Sequence, residues 1–534
     1  MRLKVTLGAA VALVFSLLIE IAEAQVSVAW AARYRGPALS DNANAANALV
    51  ADRFGNVYVT GGSAGIGSAD YATIKYNHLG DSVWVRRRLN GAGGDLAVDS
   101  HLNVYVTGGP ATIKYDSSGN ELWARRNPNR YAGFTSLGKR ILLSDSGYVY
   151  VSGQGVGLGG NPDVITWKLD TEGNILWMAQ YDGRDHDADR MYDMALDPSG
   201  NIIVVGETYI AAPQSGYDYI TIKYAPNGDT LWTRRYDAGV NGWDSGRGVA
   251  VDSSGNVYVT GWSDSTGTGS DALTIKYDPD GNVLWTARYN SLTNGGDTGD
   301  DIVVDRFGNV YVTGISQSIN YAVHKYDSHG VHQWTQVYQG GGPAFAVRFP
   351  RISIDSVGNV YATVRVPECQ FYSDFGVVKY DANGNRIWLA TYGRPCDSED
   401  AYALAVDVNG NVYLTGYLGR TSVDFDYLTV KFVQGPVSVD NDEADIPTSL
   451  VLHQNYPNPF NPSTTIRFSL PASTQVRLSV YDMLGREISV LVDEQKSAGA
   501  YSVLWKATDL ASGVYFCRLQ TPHSALSRKL VIIR

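Results

Sequence analysis

Short apolar runs, each cut off by a cluster of Asp, Asn and Gly, recur through residues 45–432. One run is Gly-Asn-Val-Tyr-Val-Thr-Gly, at Gly55, Gly255 and Gly308, with variants near Leu102, Gly147, Gly200, Gly358 and Gly410. A second, Thr-Ile-Lys-Tyr or similar, ends at Tyr76, Tyr115, Leu169, Tyr224, Tyr277, Tyr326, Tyr380 and Phe432. Eight residues beyond the first seven of these ends stands a Trp, from Trp84 to Trp388, in a Leu-Trp-x-x-Arg-Tyr run or a similar one. β-branched and aromatic residues in short runs bounded by turn formers predict strands. Each unit therefore reads as four strands. Strand A ends at an Asp (Asp52, Asp99, Asp145, Asp197, Asp252, Asp305, Asp355, Asp407), B is the Val-Tyr-Val-Thr run, C the Thr-Ile-Lys-Tyr run, and D carries the Trp.

Strands A and B are joined by Asp-x-x-Gly-Asn in most units, and C and D by nearly the same turn, as in Asp278-Pro279-Asp280-Gly281-Asn282. The Asp accepts backbone bonds, Pro suits the second position, and Gly supplies the left-handed residue of a bulged hairpin. Turn chemistry thus explains these acids without a metal. Four-stranded units at a period of about 50 residues predict propeller blades. Strands A to C occur eight times, strand D only seven times after them. Val28–Tyr34 matches 283–289 in its Trp, its Arg-Tyr and their spacing, so the start of the chain is expected to supply the eighth strand D and pair with the last strand C. Closing the ring with both chain ends removes a free sheet edge. The expected fold is all-β: an eight-bladed β-propeller over 25–432. A seven-bladed ring with one atypical unit is the alternative, since only Gly108-Gly109-Pro110 separates strands B and C of the second unit.

The repeat resembles a family of bacterial propeller repeats found in exported proteins. At the N-terminus, Arg2 and Lys4, an apolar run over 5–19 and Ala22-Glu23-Ala24 form the three parts of a secretory signal peptide, 1–24. No later segment approaches 18 continuous apolar residues, so no integral membrane segment is expected after cleavage. Residues 433–447 are polar and acidic and read as a linker. Six further strands, over 464–470, 475–481, 487–492, 500–505, 513–519 and 529–533, predict a small immunoglobulin-like β-sandwich. Within it, Asn455-Tyr456-Pro457-Asn458-Pro459-Phe460-Asn461-Pro462, then Val480-Tyr481-Asp482, then Ser512-Gly513-Val514-Tyr515-Phe516, resemble the C-terminal sorting domain of type IX secretion cargo. The resemblance covers 448–534. It implies the type IX secretion machinery as a partner, and release from or attachment to the outer surface of a Gram-negative bacterium.

Composition agrees and excludes little else. Gly 57, Tyr 35 and Trp 12 stand against Met 5. The net charge of −11 argues against nucleic acid or an anionic membrane as partner. Of three cysteines, Cys369 and Cys396 lie in one repeat and are a candidate disulfide; three unpaired thiols are the alternative.

No motif assigns catalysis. Gly61-Gly62-Ser63-Ala64-Gly65 lies between two strands and not at a strand-to-helix turn, and no helix follows Gly155, Gly157 and Gly160. Each strand C carries a Lys, from Lys75 to Lys431, which suits a stem covering apolar surface. The B–C and D–A loops share the rim opposite the Asp-x-x-Gly-Asn turns and vary most, which is where binding sits. They carry Tyr209, Tyr217, Trp243, Trp262, Phe371 and Tyr372 beside acids, a mixture that suits sugars or peptides. Asp185, Asp187 and Asp189 alternate in one such loop and are candidate Ca²⁺ ligands, with a solvated acidic loop as the alternative. No other cofactor is expected. The expected function is an exported extracellular or cell-surface binding or scaffold protein, with an extracellular glycan or protein as ligand. The alternative is a secreted polysaccharide- or peptide-degrading enzyme using carboxylates on the loop face.

Overall fold

The structure, a computed structural model, describes residues 26–532 apart from 38–43, 66–68, 131–135, 158–159, 212–215, 240–241, 340–349, 370–371, 395–396, 422–423, 435–449, 456–457, 459, 461–462, 498 and 508–509. The signal peptide and the Cys369–Cys396 pairing lie outside the described residues or side chains, as does the linker beyond Gln434. No α-helix occurs among the described residues, so none is long and apolar enough to cross a membrane. The chain divides into two compact units near residue 437.

In the first unit the strands assemble into eight four-stranded antiparallel sheets. Sheet 1 is Ala45–Ala51, Val57–Ala64, Ala69–Tyr76 and Ser82–Arg88. Sheets 2 to 7 repeat this order over 92–126, 137–181, 189–236, 244–289, 301–338 and 352–392. Sheet 8 takes Ser398–Val406, Val412–Thr421 and Asp424–Gln434, and its fourth strand is Val26–Tyr34 from the start of the chain. The register puts Val28 opposite Phe432, Trp30 opposite Lys431 and Tyr34 opposite Tyr427, as the matching Trp and Arg-Tyr spacing predicts. The last strand runs two residues past the expected end at 432.

Each sheet shares a buried cluster with the sheets before and after it, and Tyr413 and Tyr427 of sheet 8 pack with Ala46, Leu49 and Val57 of sheet 1. Strands B and C are covered on both faces, which is why Val57-Tyr58-Val59-Thr60 and Thr73-Ile74-Lys75-Tyr76 are buried throughout. Their Thr residues pair inside the sheet, Thr60 Oγ1 to Thr73 Oγ1 at 3.0 Å, so the buried strand-B hydroxyl is satisfied by its partner in strand C. The Gly after the strand-B Thr passes so close to strand A that a Cβ on Gly61 would lie 2.0 Å from the Ala45 carbonyl.

Neighbouring sheets are also fastened at the turn rim. Trp84 Nε1 and Lys75 Nζ both donate to the Ser117 carbonyl of the next sheet's C–D turn, at 3.2 Å each. Trp232 and Lys223 do the same with the Pro279 carbonyl. The turn glycine beneath each Trp serves twice: Gly80 has φ +84°, and a Cβ there would meet the Trp30 ring at 2.6 Å. Sheet 8 has no C–D turn, because its strand D comes from the other end of the chain. Gln434 fills the gap: its Oε1 accepts from Lys379 Nζ at 2.6 Å and Trp388 Nε1 at 3.4 Å.

The second unit is two antiparallel sheets, one of Val451–Leu452, Ser463–Leu470 and Gly499–Lys506, the other of Glu487–Lys496, Thr474–Tyr481, Gly513–Gln520 and Ala525–Ile532. They enclose one core that includes Ile466, Phe468, Val480, Trp505, Cys517 and Ile532. The Asn-Pro-Phe run is tied to the final strand. Asn458 accepts from Val531 N at 2.7 Å and donates to the Lys529 carbonyl at 3.0 Å, and Phe460 packs at a tilt against Trp505 with centroids 5.5 Å apart.

Candidate functional site

The Asp-x-x-Gly-Asn turns offer acids but no free chemistry. Asp52 Oδ1 accepts from Phe54 N at 2.8 Å and Asn56 N at 2.9 Å, and its Oδ2 accepts from Asn56 Nδ2 and the Tyr58 hydroxyl. Asp99, Asp252, Asp305, Asp355 and Asp407 repeat the set. Clefts of 440 and 430 Å³ open between these turns, but their acids, Asp52, Asp355 and Asp407, are spent in this way. The strand-C lysines from Lys75 to Lys379 are equally occupied: they reach across to neighbouring turn carbonyls or to Gln434 and form no open ring of charge.

Along the innermost strands a second set of charges lines the axis. Asp95, Arg140, Asp193, Asp301 and Arg351 hold the same strand-A position in sheets 2, 3, 4, 6 and 7, where sheet 5 has Gly248. Arg140 Nε lies 2.9 Å from Asp193 Oδ1, while Asp95, Asp193 and Asp301 each cap a backbone N–H of the next sheet, at 3.1 Å. Burial pushes the Asp95 and Asp301 carboxyls up. Sequence reasoning missed this set. Its signal is the strand-A residue that faces the strand-B Thr or its counterpart, three residues before the last residue of strand A.

The loop rim differs. Three of the aromatics named from the sequence come together there: Tyr209 and Tyr217 meet edge to face at 5.1 Å, and Tyr217 meets Trp243 at 5.8 Å. Arg190 lies over the Tyr217 ring at 4.8 Å, and Trp243 is 56% exposed. Trp262 belongs to the next strand B and is half-buried, and the side chains of Phe371 and Tyr372 lie outside the described ones. A second aromatic group, Tyr402, Tyr417 and Phe425, lines a cleft of about 230 Å³ on this rim between sheets 8 and 1.

The acidic loop 182–189 crosses from sheet 3 to sheet 4 beside the first aromatic group. The structure places its predicted ligands apart. Asp185, exposed, accepts from Ala211 N at 2.9 Å. Asp187 accepts from Asn161 Nδ2 at 3.2 Å and Ala188 N at 2.9 Å. Asp189, 1% exposed, turns inward and closes the loop by accepting from Gly183 N at 2.6 Å. Its neighbours are Asp163, which opens strand C of sheet 3, and Asp182; one carboxylate oxygen from each of the three lies within 4.8 Å of the others. Burial, reinforced by the adjacent carboxylates, pushes Asp189 up to about 7 and Asp163 up to about 6.

The same positions recur at the next junction as Asp218, Asp237 and Asp244. There Arg235, three residues after Trp232, pairs with Asp218 and lies 3.7 Å from Asp237. Arg33, Arg87 and Arg288 play the same part for Asp426, Asp70 and Asp271. At the sheet 3–4 junction the position is Gln180, whose Nε2 donates to Asp163 Oδ2 at 2.5 Å. Asp163 and Asp182 escaped the sequence reading. A signal was present: an acid stands five residues before most strand-C lysines, and the residue three after the strand-D Trp is Arg in most units but Gln in this one.

Fold and tail together define a class: an exported, all-β protein in which a propeller-like repeat unit precedes a secretion domain. Residues 454–533 match the secretion system C-terminal sorting domain family, and residues 232–267 match the β-propeller repeat family. The sorting match puts the chain on the type IX route to the cell surface or extracellular space, with the secretion machinery as its partner. An uncharacterized WD repeat-containing protein of Acanthamoeba polyphaga mimivirus is 25% identical over 29% of this chain, which spans 14% of that relative. Among solved structures, Sqt1 from Chaetomium thermophilum is 11% identical, with 76% of this chain and 100% of that chain covered and a TM-score of 0.49. PorZ, a surface component of the type-IX secretion system of Porphyromonas gingivalis, is 16% identical over 90% of this chain and 58% of its own, with a TM-score of 0.35.

Proposed function

We propose that the mature chain is an eight-bladed β-propeller, 25–432 with strand C of the last blade extended to Gln434, carried out of the cell by an immunoglobulin-like sorting domain over 448–534. A signal peptide over 1–24 starts its export, and residues 433–447 link the two units. Outside the cell it binds rather than catalyses: it presents a glycan- or peptide-binding rim as a surface or released scaffold. The observation that carries this reading is the Tyr209–Tyr217–Trp243 group beside the acidic loop. Aromatic faces supply apolar area at small entropic cost, and adjacent carboxylates accept hydrogen bonds from hydroxyls or amides. The regular rim, by contrast, spends its polar groups on holding sheets together.

The test is a glycan and peptide array probed with the mature protein and with Trp243→Ala and Tyr217→Ala. Binding by the parent that falls at least tenfold in both variants supports the reading. Binding unchanged in both would sink it. Turnover of a bound glycan or peptide would favour the alternative, a secreted degrading enzyme on the same rim.

A further inference from the structure

The junction between sheets 3 and 4 holds three carboxylates and no arginine or lysine in an ion pair with any of them, among the described residues. The basic group that reaches it is His186, whose Nδ1 lies 2.8 Å from Asp182 Oδ2 and whose ring faces solvent. Asp163 is 0% and Asp189 1% exposed. The Oδ1 atoms of Asp163 and Asp182 have no hydrogen-bond donor, and the polar group beside the Asp189 carboxylate is the Thr208 hydroxyl. A fully buried carboxylate with an unpartnered oxygen, converging with two others, is costly unless a cation joins them. At the next junction the cation is Arg235. Here the chain has exchanged that arginine for neutral Gln180 and kept the acids.

We propose that Asp163, Asp182 and Asp189 form a calcium site. Every donor is a carboxylate oxygen, which suits a hard cation, and three carboxylates with mixed one- and two-oxygen contacts plus water reach the six to eight oxygens calcium takes. Asp189 is shared with the set expected from the sequence; Asp185 and Asp187, engaged with Ala211, Asn161 and Ala188, are outside the site. The ion ties strand C of sheet 3 and the loop after its strand D to strand A of sheet 4; at the next junction Arg235 joins Asp218 of strand C to Asp237 of the loop after strand D. It also holds the base of the loop that flanks the Tyr209–Tyr217–Trp243 group. The inference stands independently of what that rim binds.

Calcium titration of the mature protein by calorimetry, with melting curves in calcium and in chelator, tests it. The expected result is one ion bound with a Kd of about 10⁻⁴ M, the range of extracellular modules, and a Tm raised by about 3 °C at about 5 mM Ca²⁺. Gln180→Arg supplies the missing cation. It is expected to melt like the calcium-bound parent in chelator and to bind no calcium. Asp182→Asn, at the half-buried member, is expected to weaken binding at least tenfold, while Asp185→Asn with Asp187→Asn leaves it unchanged. No heat and no Tm shift in the parent overturns the proposal. So does calcium binding that survives both Gln180→Arg and Asp182→Asn, or that is lost in the Asp185→Asn, Asp187→Asn variant.

Discussion

The two rims of the repeat unit are made from the same residue types and put them to opposite use. At the turn rim Asp52 and most of its counterparts fill their acceptors within six residues of chain. Trp and Lys side chains converge there on one carbonyl of the neighbouring sheet. At the loop rim the acids Asp163, Asp218 and Asp271 stand at sheet junctions, and whether each is neutralised depends on one residue of strand D. The turn rim is therefore built identically from sheet to sheet because its contacts make the ring. The loop rim varies because its contacts have only to be neutral, and an arginine, or a bound ion, meets that condition equally well.

The largest effect is expected from removing the strand that joins both rims at the ring's closure. Deleting 26–34 takes Trp30 from between Tyr76 and Tyr413 and leaves Asp426, whose side chain is 1% exposed, without Arg33. An uncompensated buried charge alone costs about 3–5 kcal/mol, and the edge of Asp424–Gln434 would be opened to other chains. Loss of the cooperative melting transition, or aggregation, is expected in calorimetry and light scattering. A deletion variant that melts as a monomer at the parent's temperature would show that the pairing does not hold the ring.

Next in size is a direct contrast between the rims. Trp232, 8% exposed, packs over Gly281 and donates to Pro279 O, so Trp232→Ala at the turn rim should cost about 3–5 kcal/mol. Trp243, 56% exposed at the loop rim, should cost less than about 1 kcal/mol on the same change. Denaturant melts of the two variants check it; equal losses would erase the distinction between rims.

The same contrast explains what could be read from the sequence. The turn rim was legible because its chemistry is local: Asp, Gly and Asn within one turn, and a Trp eight residues from the end of strand C, recur wherever the fold needs them. The closing strand was legible for that reason too, since Trp30, Arg33 and Tyr34 repeat Trp285, Arg288 and Tyr289. Gln434 was not, because it occupies no repeat position; it acts only where the chain ends have removed a C–D turn. Nor was the acid cluster legible as such. Asp189 could be found by its offset before the end of strand A, but Asp163 and Asp182 join it across two sheets. Alternation along 185–189 suggested convergence, whereas the loop's backbone sends Asp185 to Ala211 and turns Asp189 inward.

Gln434 supplies the third prediction. Gln434→Ala leaves Lys379 Nζ and Trp388 Nε1 without the acceptor that every other sheet takes from a turn, and removes a donor to the Tyr361 hydroxyl at 3.1 Å. A loss of about 1–2 kcal/mol is expected, read as a lowered denaturation midpoint with unchanged slope. Gln434→Glu keeps the acceptor and adds a negative partner for Lys379, and should restore most of it. If the alanine variant matches the parent, the turn-rim carbonyl is dispensable at the closure.

The smallest effect concerns the neutralised junction. Burial holds the Asp218 carboxyl up at about 6, with Arg235 pulling it down. In the unfolded chain the group titrates near 4. A carboxyl whose folded value is the higher one binds its proton more tightly in the native state, so its contribution falls as pH rises from about 4 to 6 and stays lost above that. Removing Arg235 removes the opposing pull. Arg235→Gln, which gives this junction the residue its neighbour has, should therefore lower stability at pH 7.5 by about 1 kcal/mol and regain part of it at pH 5. Asp218→Asn combined with Arg235→Gln should flatten that recovery, since the titrating group is gone. Melting temperatures of the three proteins between pH 5 and 7.5, in chelator so that no ion stands in for the arginine, make the comparison. Parallel curves for parent and Arg235→Gln would mean that solvent, and not the arginine, neutralises this junction.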